Sequence, residues 1–205
     1  MPLIVGRTYK FRVESRNSVG YSAISVPISI LTAQIPGTPV PPTTTLIGDT
    51  IVVSWIQPDD GGTSISAYTI LIAQSDNATF TEDKVNCDGR NTTIVANRQC
   101  VIPSAVLNQA PFNLIWGSKV YAKIIVSNVI GSSPPSAAGN GASIQNGPSY
   151  PLNLAENRAW TTSYSIGLVW SDVADNGGSQ VLDYRVWYDQ GSNNFIVLAS
   201  GIVTK

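Results

Sequence analysis

The chain has 205 residues, of which 43% are hydrophobic and 12% charged, and its formal net charge is −1. It is long enough for one or two domains with apolar cores, but it lacks the positive field that nucleic-acid binding requires. No apolar run approaches the roughly 18 residues of a membrane-spanning helix, so membrane insertion is not expected either. Histidine, the commonest general base and metal ligand, is absent. We therefore expect no enzyme activity, cofactor or metal.

The first predicted strand covers residues 8–15, inside the stretch GRTYKFRVESRNSVGYS (residues 6–22). Its apolar positions, which alternate with polar ones, are Tyr9, Phe11 and Val13. This period of two is typical of a half-buried strand, and Asn17 and Gly20 then end it as turn residues. Such a stretch is typical of the last strands of a domain, although it stands near the beginning of this chain.

Two further strands are predicted on either side of an acidic turn. Trp55 shares one face of TIVVSW (residues 50–55) with two apolar residues, and Tyr68 does so in SAYTILIA (residues 66–73). Between them stands Asp59-Asp60-Gly61-Gly62. Asp before Gly favours an ordinary turn, because the side chain bonds its own backbone. Calcium binding by the carboxylates is the alternative.

Cys87 and Cys100 stand too far apart for a CxxC redox pair, and the chain has no other cysteine to complete a zinc site. We predict a disulfide between them, with two free buried thiols as the alternative. Asn77 and Asn91 begin two N-x-T sequons in predicted surface loops, so we predict N-linked glycan at both. Composition alone suggests a further hypothesis, O-linked sugar at Thr43, Thr44 and Thr45.

These features favour an extracellular protein, secreted or at the cell surface. Arg7 and Lys10 interrupt the chain before an apolar stretch of signal-peptide length develops. We therefore expect an internal or mature segment of a longer protein.

The sequence pattern repeats along the chain. YSIGLVW (residues 164–170) and LDYRVWY (residues 182–188) match the two strands around the acidic turn, with Gly177 aligned on Gly61. The opening stretch also returns, because Gly117, Asn128 and Gly131 match Gly6, Asn17 and Gly20 at one constant offset. Internal repeats of this kind indicate a modular array.

The combination of an early Trp, a GG turn, a later Tyr, and G-x-x-Y-x-F-x-V followed by N-x-x-G-x-S resembles the fibronectin type III module. The resemblance implies tandem all-β, immunoglobulin-like antiparallel sandwiches. It places Trp55 and Trp170 on strand B, Tyr68 and Tyr184 on strand C, and residues 8–15 and 120–127 on strand F. The core residues that it implies are Tyr9, Phe11, Trp55, Tyr68, Trp170 and Tyr184. Tyr9 would also form a tyrosine corner, a position that Val120 occupies in the middle module.

The resemblance also implies a domain map. Residues 35–146 form one complete sandwich with the disulfide loop, residues 1–34 supply only strands F and G, and residues 147–205 supply strands A to C′, with strand E beginning at GIVTK (residues 201–205). The two end pieces total about 93 residues, the size of one small module. We predict that residues 1–34 complete a sandwich with residues 147–205 of a neighbouring repeat. That repeat belongs either to a separate subunit or to the same long polypeptide.

Two functions are compatible with this map. The first is a structural repeat of an extracellular filament or surface array. The alternation of a long disulfide-bearing module and a shorter one favours it, because this alternation resembles large surface proteins of unicellular eukaryotes. The second is an adhesion or receptor ectodomain that binds a protein or glycan through its turns. Trp187 faces away from Tyr184, so a neighbouring side chain covers it or it contacts an adjoining module.

Overall fold

The structure is a computed structural model, and it describes residues 2–205. The chain divides into two compact units. The first unit runs to Leu114 and also contains Lys119–Ala142. The second unit contains Ile115–Ser118 and Ser143–Lys205.

The first unit begins with a two-stranded hairpin. β1 (Thr8–Phe11) pairs antiparallel with β2 (Ile28–Leu31). Beyond β1 the two arms stay joined through serines, because the Ser25 N–H donates to the Val13 carbonyl at 2.9 Å and the Val13 N–H donates to Ser25 Oγ at 3.0 Å. Residues 2–32 therefore hold two arms of a sheet.

A complete antiparallel sandwich follows the hairpin. Its elements, in chain order, are β3 (Thr43–Ile47), β4 (Thr50–Ser54), β5 (Ala67–Ala73), β6 (Phe80–Thr81), α1 (Thr92–Asn97), β7 (Gln99–Pro103), α2 (Ser104–Leu107), β8 (Lys119–Val120), β9 (Ala122–Ser127) and β10 (Ala142–Ser143). The main sheets have the strand orders β3–β4–β7 and β6–β5–β9, and β8 pairs with β10. Residues 132–139 run beside β9 as a further arm, where the Ser136 N–H donates to the Ile124 carbonyl at 2.9 Å.

The core of this sandwich comes from alternate positions of its central strands. β4 and β9 bury every second residue, and β5 does so along most of its length, because successive side chains of a strand point to opposite faces. The largest fully buried side chains on the three strands are Ile51, Val53, Ile70, Ile72, Ile124 and Val126. The period of two that predicted these strands is therefore the pattern of the core.

The second unit contains two separate strand pairs. β11 (Pro151–Glu156) pairs with β12 (Leu168–Val173), and β13 (Tyr184–Tyr188) pairs with β14 (Ile196–Ile202). The prediction that strand E begins at residues 201–205 is wrong. Ile202 belongs to β14 and pairs with Tyr184, so this segment occupies the place of strand C′ beside β13.

Strand content and pairing confirm the predicted fold class. The chain is all-β and antiparallel, and the orders β3–β4–β7 and β6–β5–β9 correspond to strands A–B–E and C′–C–F of a fibronectin III-like sandwich. That residues 1–34 and 147–205 share one split sandwich stays a prediction.

Candidate assembly surfaces

Tyr9 holds the segment that precedes the hairpin. The Ile4 N–H donates to the Tyr9 hydroxyl at 2.9 Å, and Tyr9 is half-buried in β1. This contact has the form of a tyrosine corner, in which a phenol fixes the chain a few residues upstream. In the complete sandwich, Val120 at the matching position is fully buried and has no hydroxyl to make such a contact.

Two glycines join the hairpin to the complete sandwich. A β-carbon added to Gly62 would lie 2.4 Å from Val5 Cγ1 and 2.8 Å from the Gly6 nitrogen. Gly62 also has a φ of +87°, a left-handed conformation that disfavours other residues. Close backbone packing against Gly6 therefore fixes the base of the hairpin on the acidic turn.

The same contact recurs inside the second unit. There a β-carbon added to Gly178 would lie 2.3 Å from the Gly117 nitrogen. Gly117 and Gly178 match Gly6 and Gly62 in the sequence repeat. A glycine-to-glycine joint is thus a repeated feature of this chain.

The acidic turns use their side chains internally. Asp59 Oδ1 accepts from the Gly61 N–H at 2.7 Å, and Asp60 Oδ1 accepts from the Gly62 N–H at 2.8 Å. In the second unit, Asp175 makes the matching contact, at 2.8 Å from its Oδ1 to the Gly177 nitrogen. This is the turn interpretation of these residues. Within residues 2–205, no three His, Cys, Asp or Glu side chains form a metal-binding group.

Asn128 ties three segments of the complete sandwich together. Its Nδ2 donates to the carbonyls of Gln34 and Asp60, both at 2.8 Å, and its Oδ1 accepts from the Ile130 and Gly131 N–H groups. These contacts bring the loop after β9, the chain before β3 and the acidic turn to one end of the sandwich.

Asn17 has the same loop geometry but fewer partners. Its Oδ1 accepts from the Val19 N–H at 2.8 Å and the Gly20 N–H at 3.0 Å, as Asn128 does at the matching position of the repeat. Within residues 2–205, its Nδ2 donates to no protein acceptor. The hairpin therefore has an unused hydrogen-bond donor at the position where Asn128 of the complete sandwich donates to two carbonyls.

The hairpin exposes a face that the complete sandwich buries. Phe11 is 47% exposed and Val13 is 72% exposed, whereas Ala122 and Ile124, at the matching positions of β9, are fully buried. The prediction of Phe11 as a core residue depends on a second sheet that covers it, and it stays a prediction. The hairpin has only two strands, so its apolar face lacks the covering that a second sheet would give.

The aromatic pair of each module has a different environment. Trp55 and Tyr68 are buried, with 6% and 2% exposure and ring centroids 5.1 Å apart. Trp170 and Tyr184 keep the same contact at 5.5 Å but are only half-buried. Burial raises the pKa of the Tyr68 hydroxyl above its usual range. The second unit therefore has the contacts of a sandwich core without its full covering.

Tyr184 also takes part in an ionic contact at the surface. Its hydroxyl donates to Asp172 Oδ1 at 2.8 Å, and the Lys205 ammonium contacts the same oxygen. The hydrogen bond from Lys205, followed by that from Tyr184, lowers the pKa of the Asp172 carboxyl. The bond to Asp172 raises the pKa of Tyr184.

β13 keeps one edge unpaired within the described residues. β5, its counterpart, lies between β6 and β9, but β13 pairs only with β14. Trp187 stands on this strand with 51% of its surface exposed. The structure thus leaves a strand edge and an exposed tryptophan together.

Cys87 and Cys100 are joined by a disulfide, with their Cα atoms 5.2 Å apart. The bond links the loop before α1 to β7, where Cys100 pairs with Val53 of β4. Between the cysteines, Asn91 caps α1, since its Oδ1 accepts from the Thr93 N–H at 2.9 Å. Sequence reasoning did not predict this helical turn.

Both sequon asparagines are exposed. Asn77 lies in the turn between β5 and β6, and Asn91 lies at the start of α1. The O-linked hypothesis is wrong at Thr44, which is 2% exposed and donates its hydroxyl to the Val120 carbonyl at 3.2 Å. Thr43 and Thr45 on the same strand are exposed.

Solved structures resemble the chain only distantly. No protein-family model matches the chain. Among solved structures, titin domains A168–A170 give a TM-score of 0.47 at 16% identity, covering 67% of this chain and 41% of that one. Chicken CNTN1 domains FN1–FN3 give 0.41 at 16% identity, covering 81% of this chain and 52% of that one. This chain thus spans about half or less of each.

A further similar structure is the twitchin kinase region from C. elegans, with a TM-score of 0.36 at 21% identity, covering 52% of this chain and 17% of that one. The strand order of this chain assigns it to the class of fibronectin III-like sandwiches.

No helix within residues 2–205 is long and apolar enough to cross a membrane.

Proposed function

We propose that the chain is a structural repeat of an extracellular filament or cell-surface array, in which copies assemble head to tail by completing a split sandwich. The observation that carries the proposal is the exposure of Phe11 and Val13 at positions where Ala122 and Ile124 are fully buried. Burying such a face is favourable by about 25 cal/mol for each Å² of apolar surface. A second copy supplies the missing sheet.

The joints support a mechanical role. Each repeat carries a glycine-to-glycine contact, Gly6 with Gly62 and Gly117 with Gly178. Backbones packed this closely restrict movement within each unit, which suits a module that sets spacing. An enzymatic role has no support from the arrangement of side chains described above.

The disulfide and the two exposed sequons support an extracellular setting. Disulfides persist in oxidising compartments, and N-linked glycan is added to N-x-T sequons of secreted proteins. We propose glycan at Asn77 and Asn91, on the surface of the array.

The alternative, an adhesion or receptor ectodomain that binds through its turns, has less support. The carboxylates of Asp59 and Asp60 accept from amides of their own turn, and Gly62 packs against the hairpin. A turn occupied in this way offers little surface to a ligand.

Sedimentation velocity of the full disulfide-bonded chain tests the proposal. We expect association that grows with concentration, and fibres with a regular repeat in negative stain. Val13→Asp places a charge on the exposed hairpin face and should weaken association at least tenfold. Val101→Asp, at an exposed position of the complete sandwich, is the matched control and should leave association unchanged. A chain that stays monomeric at every concentration contradicts the proposal.

A further inference from the structure

Two of the strand edges that lack partners within residues 2–205 have paired counterparts in the complete sandwich, which shows what each would pair with. β9 pairs with β5 on one edge and with the arm at residues 132–139 on the other. The hairpin strand at residues 8–16 is the counterpart of β9 and has only its second arm. β13 is the counterpart of β5 and has only β14.

The hydrogen bonds of the two hairpin arms support the match to β9. The Ser133 N–H donates to the Val126 carbonyl at 2.8 Å, and at the matching positions of the hairpin the Ser22 N–H donates to the Ser15 carbonyl at 2.8 Å. Ser133 Oγ also accepts from Val126 N–H, as Ser22 Oγ does from Ser15 N–H. The free edge of the hairpin is therefore the edge that β9 offers to β5.

The β5–β9 ladder gives the register. On the face turned away from the core, Ala67 pairs with Ser127, Thr69 with Ile125 and Leu71 with Lys123. One step further, the Ala73 N–H donates to the Tyr121 carbonyl at 2.9 Å. The sequence repeat aligns Tyr68 of β5 with Tyr184 of β13 and the segment around β9 with the hairpin strand, so each pair can be transferred to the unpaired edges.

We propose, building on the proposed function, that β13 of one copy pairs antiparallel with residues 8–16 of a second copy in this register. The outward pairs that result are Asp183 with Arg16, Arg185 with Glu14, Trp187 with Arg12 and Asp189 with Lys10. Three of the four join opposite charges. The fourth places a guanidinium beside an indole, which is a cation–π arrangement.

The charges also select this register over its neighbours. A slip of two residues in one direction places Arg185 opposite Arg16, and a slip in the other direction places Arg185 opposite Arg12 and Asp183 opposite Glu14. Like charges directly opposite on two strands destabilise their pairing. A slip of one residue would turn the apolar face of the hairpin outward. The proposed register alone satisfies both faces.

On the face turned toward the core, two of the pairs that this register makes are apolar. Val186 lies opposite Val13, and Tyr188 lies opposite Phe11. Their counterparts in the complete sandwich are Ile70 with Ile124 and Ile72 with Ala122. Each of these four side chains is at most 1% exposed. Association therefore covers the exposed face of the hairpin and the half-buried aromatic pair of the second unit together.

A charge exchange in the full chain tests the register. Glu14→Arg sets an arginine opposite Arg185, and Arg185→Glu sets a glutamate opposite Glu14. Each single variant should weaken association, measured by sedimentation, about tenfold. The double variant should recover most of the loss. Arg158→Glu is the matched control for Arg185→Glu. It makes the same change of net charge at an exposed residue of the second unit that takes no part in the proposed pairing.

Each outcome decides something different. Loss in both single variants with recovery in the double variant supports the register. If the wild-type chain associates but the single variants do not weaken it, or the double variant stays weak, the register is overturned and the assembly proposal stands. If the wild-type chain does not associate, both proposals fail.

Discussion

Asn17 and Asn128 form the same loop at matching positions of the sequence repeat, yet only Asn128 uses its Nδ2, which donates to the carbonyls of Gln34 and Asp60 at 2.8 Å. The positions of the second unit that match these two acceptors are Asn146 and Asn176, because Asn146 N–H donates to Gly177 as Gln34 N–H does to Gly61. In a head-to-tail assembly, Asn17 of one copy would donate to the carbonyls of Asn146 and Asn176 of the next.

The two asparagines should respond differently to alanine. Asn128→Ala removes four hydrogen bonds at a buried site, two donated by Nδ2 and two accepted by Oδ1, so we expect the free energy of unfolding to fall by about 1–3 kcal/mol in urea. Asn17→Ala removes only the two hydrogen bonds within its exposed loop, so it should lower the free energy of unfolding of the single chain less than Asn128→Ala does, and it should weaken association in sedimentation. If both variants lose equal stability as monomers, the two sites are not related in the way described.

Gly62→Ala should loosen the base of the hairpin. The new methyl group would meet Val5 and Gly6, and the residue must keep a positive φ, so we expect a cost of about 1–3 kcal/mol. Amide hydrogen exchange should become faster in β1 and β2. Gly48→Ala is the control, because Gly48 also has a positive φ but has no atom within 4 Å of the added carbon. Equal effects of the two substitutions would refute the packing argument.

Reduction of the Cys87–Cys100 disulfide should destabilise the complete sandwich. The two cysteines are separated by 13 positions in the sequence. A crosslink around a loop of this size restricts the unfolded chain and stabilises the folded state by about 3 kcal/mol. Thermal unfolding with and without reductant measures the change. The double variant Cys87→Ser, Cys100→Ser should have the melting temperature of the reduced protein, and adding reductant should not change it. An unchanged melting temperature on reduction would contradict the prediction.

Secretion from a eukaryotic cell should yield a chain with glycan at Asn77 and Asn91. Both side chains are exposed, and neither lies on the strands that the proposed assembly joins. Asn77→Gln and Asn91→Gln should each remove one glycan, visible by mass before and after enzymatic deglycosylation. Peptides of unmodified mass at both sites, from protein secreted in this way, would count against the extracellular proposal.

The sequence predicted the strands whose two faces differ most. Trp55 and Tyr68 stand in segments that alternate apolar and polar residues, and the structure places those segments in opposite sheets of one sandwich. Matching Gly61 to Gly177 then located β12 and β13, because a turn with positive φ favours glycine at that point.

Other features could not be read from local sequence. The helix α1 consists largely of β-branched residues, which have low helix propensity, and it forms where Asn91 caps it inside a loop closed by the disulfide. β14 reaches Ile202 through two shifts of register, so simple alternation does not mark its end. The burial of Thr44 depends on Asn140, which is distant in the sequence and whose Oδ1 accepts from the Thr44 N–H at 2.7 Å.

Carbodiimide cross-linking of an equal mixture of ¹⁴N- and ¹⁵N-labelled full chains tests head-to-tail completion most directly. Lys10 is the only lysine of the hairpin, and the proposed register places its ammonium opposite the carboxylate of Asp189 in the next copy. We expect a Lys10–Asp189 link in peptides of mixed isotope, which is lost in the Val13→Asp variant and kept in the Val101→Asp variant. Lys10–Asp189 links only between peptides of one isotope, or no such link in a chain that associates, would contradict it.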